Sequence, residues 1–177
     1  AHNNLGLLYD EASDYQSAAN QFQAAIDAYP DFAAAHLNLG NAYKNLSKPK
    51  EAESSFQQVL KIDEDYADAY FNLGILYLDT EMPGMDKIPR LEKAIEMLNE
   101  YKRVSRGQLS EDDPADQYIQ AARKQIKAEK QRQKMMRQMQ KKKSGGDSGG
   151  DSSGDSSDAG KSDSSSSNGT QNDSSQE

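Results

Sequence analysis

Asn4-Leu5-Gly6, Asn38-Leu39-Gly40 and Asn72-Leu73-Gly74 repeat one tripeptide at 34-residue intervals. A tyrosine follows each glycine three positions later, at Tyr9, Tyr43 and Tyr77, and the first two units stay in phase through Ala18 and Ala52, then Phe22 and Phe56. A fixed period of this length means stacked copies of one small unit, because a single unit has too little apolar surface to enclose a core alone. Each unit holds two runs of apolar and small residues at helical spacing, Leu37, Gly40, Ala42 and Tyr43 in one, Ala52, Phe56, Val59 and Leu60 in the next. The spacing predicts an all-α fold of helix-turn-helix pairs. Glycine has a packing reason here, since a side chain would hold the two helices of a pair apart. Asp31 and Asp65 stand where N-caps are expected, and Pro49 suits the first turn of a helix.

The period and the order Leu-Gly, Tyr, Ala, Phe, Pro resemble the tetratricopeptide repeat (TPR) family. The resemblance implies an all-α TPR solenoid, with three repeats over residues 1–106. In the third unit the alanine match to Ala18 comes only at Ala94, an insertion of eight residues. We place it at about 79–89, where Pro83-Gly84 and Pro89 mark turns rather than extra helix, with the next helix starting near Arg90. Residues 107–143 read as a loop, a capping helix opened by Asp113-Pro114, and a basic helical extension. The capping helix presents Tyr118, Ile119, Ala122 and Ile126 on one face, and beyond Ile126 it is expected to project into water. Ala1 falls at the third position of its repeat, which leads us to expect a longer protein upstream.

Composition changes abruptly after Lys143. Residues 144–177 are Ser, Gly and Asp with almost no apolar side chain, which predicts a disordered tail. The formal net charge of −8 hides three blocks: residues 1–122 carry −11, residues 123–143 carry +9, and residues 144–177 carry −6. With no cysteine, a disulfide framework, thiolate metal site and cysteine nucleophile are excluded. No apolar run approaches the ~20 residues of a membrane span.

In TPR proteins the first helix of each pair lines the concave surface. The resemblance therefore puts Asn4, Asn38 and Asn72 on a groove, where three amides could pair with the backbone of an extended peptide. The alternative is that these asparagines bond to neighbours in the next repeat, and both readings stand at this level. Asn3, Leu7, Leu37, Asn41, Lys44, Phe71, Ile75 and Asp79 share the face by helical spacing, making it mixed polar and apolar. A protein partner, as a peptide segment or a helix with apolar anchors, fits such a surface. Chaperone-binding TPR domains clamp a C-terminal carboxylate with lysine and arginine. Here the corresponding places hold Asn3, Leu37 and Asp68, so that clamp is not carried over.

His2 and His36 recur at one position, occupied by Tyr70 in the third unit; we assign them to packing, since cysteine or carboxylate companions at ligand spacing are missing. No metal, cofactor or catalytic constellation is expected: no histidine, nucleophile or phosphate loop converges on the carboxylates at Asp10-Glu11 or Asp63-Glu64-Asp65. The basic surface of Lys127, Lys130, Arg132, Lys134, Arg137, Lys141, Lys142 and Lys143 is either a solvated helix face or a peripheral contact for an acidic protein or anionic lipid. Nucleic acid is disfavoured, as the segment lacks an aromatic residue for stacking. These features describe a non-catalytic interaction scaffold or adaptor. The alternatives are the targeting region of a larger enzyme and an anionic-surface binder working through the basic helix.

Residues 67–130 are also similar to TPR proteins of myxobacterial adventurous gliding motility, through Tyr70, Tyr77, Met82-Pro-Gly-Met-Asp86, Arg90-Leu-Glu-Lys-Ala94, Tyr101, Asp112-Asp-Pro114 and Tyr118-Ile119. This resemblance implies a periplasmic or cell-envelope location and a role in assembling a motility or trafficking machine. Without it, a cytoplasmic location is the expectation.

Overall fold

The computed structural model describes residues 1–106, 109–110 and 113–144. Along the described residues run α1 (His2–Glu11), α2 (Tyr15–Ala28), α3 (Ala33–Asn45), α4 (Pro49–Ile62), α5 (Ala67–Asp79), α6 (Lys87–Val104) and α7 (Ala115–Ser144), with no strand among them. Ala1–Met139 make one compact unit, and Gln140–Glu177 fall in a second whose described residues are the last turn of α7. The expected tail beyond Ser144 lies outside the described residues.

Successive helices pair as α1 with α2, α3 with α4 and α5 with α6, and pairs stack through α2 on α3 and α4 on α5. The glycines set the distance within a pair. A Cβ on Gly6 would meet the Phe22 ring at 2.5 Å, one on Gly40 the Phe56 ring at 2.5 Å, and one on Gly74 the Leu98 side chain at 2.7 Å. Phe22, Phe56 and Leu98 are all fully buried, so each pair is closed by one large side chain laid on bare backbone. Ala18, Ala19, Phe22, Ala25, Ile26, Ala35, Leu39 and Ala42 form the first core cluster. Ala52 and Phe56 join Leu73, Leu76, Tyr77, Leu91, Ala94 and Ala122 in the second, and Tyr43 packs against both.

The third pair differs from the sequence reading. Its connection runs from Thr80 to Asp86, seven residues where α1–α2 and α3–α4 use three, and α6 has 18 residues where α2 and α4 have 14. Half of the insertion therefore lengthens the loop and half adds a helical turn. Pro89 lies inside that first turn, not in the loop, because the missing N–H of a proline is no loss where helical donors have no partner anyway. Met82 from the loop is buried in the core, and Gly84 takes the left-handed φ of 84° that the turn requires.

Two expected caps are also displaced. The N-caps of α3 and α5 are Phe32 and Tyr66, neither with a side-chain bond, while Asp31 and Asp65 stand one residue outside. The cap that does form on these repeats is Asp14, which accepts from the Ser17 amide at 3.1 Å; the Ser17 hydroxyl, then this amide, hold its carboxyl below its ordinary pKa.

At the other end α7 lies antiparallel against α6. Lys102 pairs with Asp116 at 2.6 Å near one end and Lys130 with Glu92 at 3.7 Å near the other. Asp113 and Pro114, expected to open the helix, both stand ahead of its first residue, Ala115, and Asp113 accepts from the Ala115 amide at 2.9 Å in the turn that leads into it. Contact continues a turn past Ile126, because Glu129 is buried too; residues 131–143 are exposed.

Candidate binding groove

The first helices α1, α3 and α5 approach one another across the repeats, whereas α2 and α4, both fully described, do not. Stacking of this kind makes the first-helix side the inner face. Three rows of equivalent positions cross it: Asn3, Leu37 and Phe71, then Asn4, Asn38 and Asn72, then Leu7, Asn41 and Ile75. Asn4, Leu7 and Asp79 are exposed and the others, with Lys44, are half-buried.

The rows are not a uniform set of open rungs. Asn38 donates from Nδ2 to Oδ1 of Asn3 at 3.1 Å, joining the first repeat to the second. For this asparagine the neighbour-bonding alternative is the one observed. Phe71 is engaged as well, tilted against Tyr101 with ring centroids 5.1 Å apart and edge-on to Tyr118 at 6.1 Å. Phe71 thus fastens α5 to α6 and α7. Asn4, Leu7, Asn72 and Ile75 keep side-chain surface available.

Sequence reasoning passed over Asp10, which occupies the register position of Lys44 on α3. Its Oδ1 is closed off from solvent without a hydrogen-bond donor, a costly state for a carboxylate oxygen. A charge pattern alone cannot reveal this, since Asp10 reads as a solvated helix end.

His36 and Tyr70 do the same work in successive repeats. His36 Nε2 lies 2.8 Å from the Pro30 carbonyl and Tyr70 Oη donates to the Glu64 carbonyl at 3.0 Å, each six residues back. His2 Nδ1 sits 3.0 Å from Oε1 of Gln21. These ring contacts tie loops and helices together.

Another buried polar group is Arg90, whose Nη1 donates to the carbonyls of Tyr77 and Leu78 at the end of α5. Tyr77 donates its hydroxyl to the Glu53 carboxylate, and burial, then this bond, pushes its pKa above the ordinary tyrosine range. Beside this corner a cavity of about 580 Å³ is lined by Asp79, Met82, Met85, Asp86, Arg90 and Gln125, among others.

On α7, Lys127, Lys134, Arg137, Lys141, Lys142 and Lys143 are exposed, with Met135, Met136 and Met139 beside them. Arg132 and Lys130 are exposed on this surface as well, each beside a carboxylate. Arg132 Nη2 donates to Glu129 Oε1 at 2.7 Å and holds that carboxyl below its ordinary pKa, and Lys130 faces Glu92.

The tetratricopeptide repeat family matches residues 3–45 and again residues 33–66. Among solved structures, the first TPR of Spaghetti (RPAP3) bound to HSP90 peptide SRMEEVD is similar at TM-score 0.60 and 18% identity, over 71% of this chain and 90% of that one. The TPR2B-domain:pHsp70 complex of yeast Sti1 follows at 0.59 and 20%, over 68% and 91%. The Sgt2 TPR domain from Aspergillus fumigatus reaches 0.62 at 15%, over 73% and 80%. No curated protein sequence matches. The fold is a TPR-type helical solenoid.

Proposed function

We propose that this chain, which carries tetratricopeptide repeats, is a non-catalytic scaffold or adaptor that holds a protein partner's peptide segment or helix on the α1, α3 and α5 face. The observation that carries the reading is the inner face itself: Asn4, Leu7, Asn72 and Ile75 offer amides and apolar surface there, while the aromatic and glycine positions are used in packing. Solved TPR domains of similar fold hold HSP90 and Hsp70 peptides, which supports peptide capture as the mode.

The partner's chemistry differs from those acidic tails. Asn3, Leu37 and Asp68 stand where a carboxylate clamp needs cations, and no lysine or arginine precedes Lys44. Asp10 and Asp79 add negative charge. The segment we assign to this groove brings amide or cationic donors together with apolar anchors. Its setting, on the resemblance of residues 67–130, is a bacterial cell-envelope or motility assembly.

The test is affinity capture from native lysate on the whole chain, on a variant with Asn4→Ala and Asn72→Ala, and on one with Lys134→Gln, Arg137→Gln and Lys142→Gln. Leaving Asn38 in place keeps its bond to Asn3. The expected result is that partners held by the whole chain bind the asparagine variant about tenfold or more weakly, with unchanged helicity, as the loss of two hydrogen bonds predicts. Full retention by that variant overturns the groove. Loss confined to the cation variant moves the function to α7.

A further inference from the structure

A buried cation marks the corner where the long α5–α6 connection enters α6. Arg90 is 7% exposed, and its Nη1 is spent on the carbonyls of Tyr77 and Leu78. Nε and Nη2 take no hydrogen bond, and the side chain forms no ion pair, among the described residues. Two carbonyls do not neutralise a guanidinium, and a buried charge without a counter-ion is costly. Nor are the two nitrogens sealed in protein, since Asp10 Oδ1 is the one closed-off polar atom without a partner among the described residues. Arg90 stands on the wall of the 580 Å³ cavity, whose volume is in the range of small-molecule sites.

The rest of that wall constrains what brings the counter-ion. Asp79, Glu81 and Asp86 put exposed carboxylates on it, so a simple anion is repelled as it enters. A ligand that carries its own cation beside its anion is not. Met82, buried, and Met85, half-buried, add apolar surface that adapts to the shape laid on it. Glu81, Met82, Met85 and Asp86 all belong to the seven-residue connection from Thr80 to Asp86. The three-residue connections of the first two pairs have no room for such a wall.

We infer that this cavity binds a small zwitterion, an α-amino acid or dipeptide with an apolar side chain. Its carboxylate takes the open edge of Arg90, where Nε and Nη2 present two parallel N–H groups, the fork that holds a carboxylate by paired bonds. Its ammonium meets the carboxylates of Asp79, Glu81 and Asp86, and its side chain lies on Met82 and Met85. The site is a product of the insertion, separate in ligand class from the segment assigned to the inner face.

The test titrates the whole chain with L-leucine, L-methionine and their N-glycyl dipeptides, each to about 10 mM, and follows the Arg90 Nε–H and the Met82 and Met85 methyl signals by NMR. At least one of these probes is expected to move all three signals together and saturably. Its C-terminal amide, which lacks the carboxylate, and its N-acetyl form, which lacks the ammonium, are each expected to bind about tenfold or more weakly. Glu81→Gln with Asp86→Asn weakens the zwitterion by a similar factor, and both sites are exposed, so this variant reads the cavity even if Arg90→Lys fails to fold. Folded Arg90→Lys keeps the charge but loses the fork, and is expected to lose binding about tenfold or more. No saturable shift from any of the four probes overturns the site. So does equal binding of the amide or the N-acetyl form, acetate binding as tightly as the zwitterion, or an affinity unchanged by Glu81→Gln with Asp86→Asn.

Discussion

Gly40 shows how much of this fold depends on atoms that are absent. The nearest Phe56 ring carbon would lie 2.5 Å from an added Cβ, well inside contact distance, and Phe56 is completely buried with no room to retreat. Alanine is the better helix former by roughly 1 kcal/mol, but overpacking a closed core costs ~1–3 kcal/mol. The expected outcome for Gly40→Ala is a net destabilisation of about 1 to 2 kcal/mol, read as a lower midpoint in urea unfolding. An unchanged or higher midpoint would mean that the helices separate without cost, and that the repeated glycine has another cause. These positions were legible because one rule holds three times. Asp10 was not, since the burial of a single carboxylate oxygen depends on neighbours from other helices and leaves no periodic trace.

Among the elements, α6 and α7 were the least legible, and for a physical reason. An insertion breaks the phase that sequence reasoning relies on, and proline reads as a breaker although the first turn of a helix accepts it, as Pro89 does in α6. Arg90 likewise reads as a surface cation, yet it is buried where it can reach the last carbonyls of α5. The junction of α6 with α7 has its own latch: Tyr101 donates to Asp113 Oδ2 at 2.8 Å beside the Phe71 ring. Burial first, then the Asp113 bond, push the Tyr101 pKa up to about 12. An acid whose folded pKa is raised stabilises the fold fully below its unfolded value, and that contribution is lost as pH rises through the folded value. Stability from this latch is therefore expected to fall between about pH 10 and pH 12. Tyr101→Phe removes that part of the alkaline decline in melting temperature, and ultraviolet titration loses one tyrosine ionising near the top of the range. An identical decline in wild type and variant would show that the latch does not form.

For the molecule as a whole, Ala1–Met139 is a linear stack in which each helix pair depends on its neighbours, so stability varies along the chain. α1 touches α2 and α3 and leaves Leu5 and Leu8 in water, whereas α5 lies against α4 and α6 and contributes Leu73, Leu76 and Tyr77 to the larger core cluster. α6 in turn is held by α7 through Lys102 and Glu92, and by Asp113 just ahead of α7 through Tyr101. Amide exchange under native conditions is therefore expected to be fastest in α1 and slowest in α5 and α6. Low denaturant should widen the gap before global unfolding closes it. Equal protection across α1, α3 and α5 would instead mean that these pairs open only together, and that the open face of α1 carries no penalty. The gradient also bears on binding. A segment laid across Asn4, Leu7, Asn72 and Ile75 bridges the softest first helix to the firmest, so an occupied groove slows exchange in α1 more than in α5. A ligand that protected only α7 would mark a different site, even if it bound as tightly.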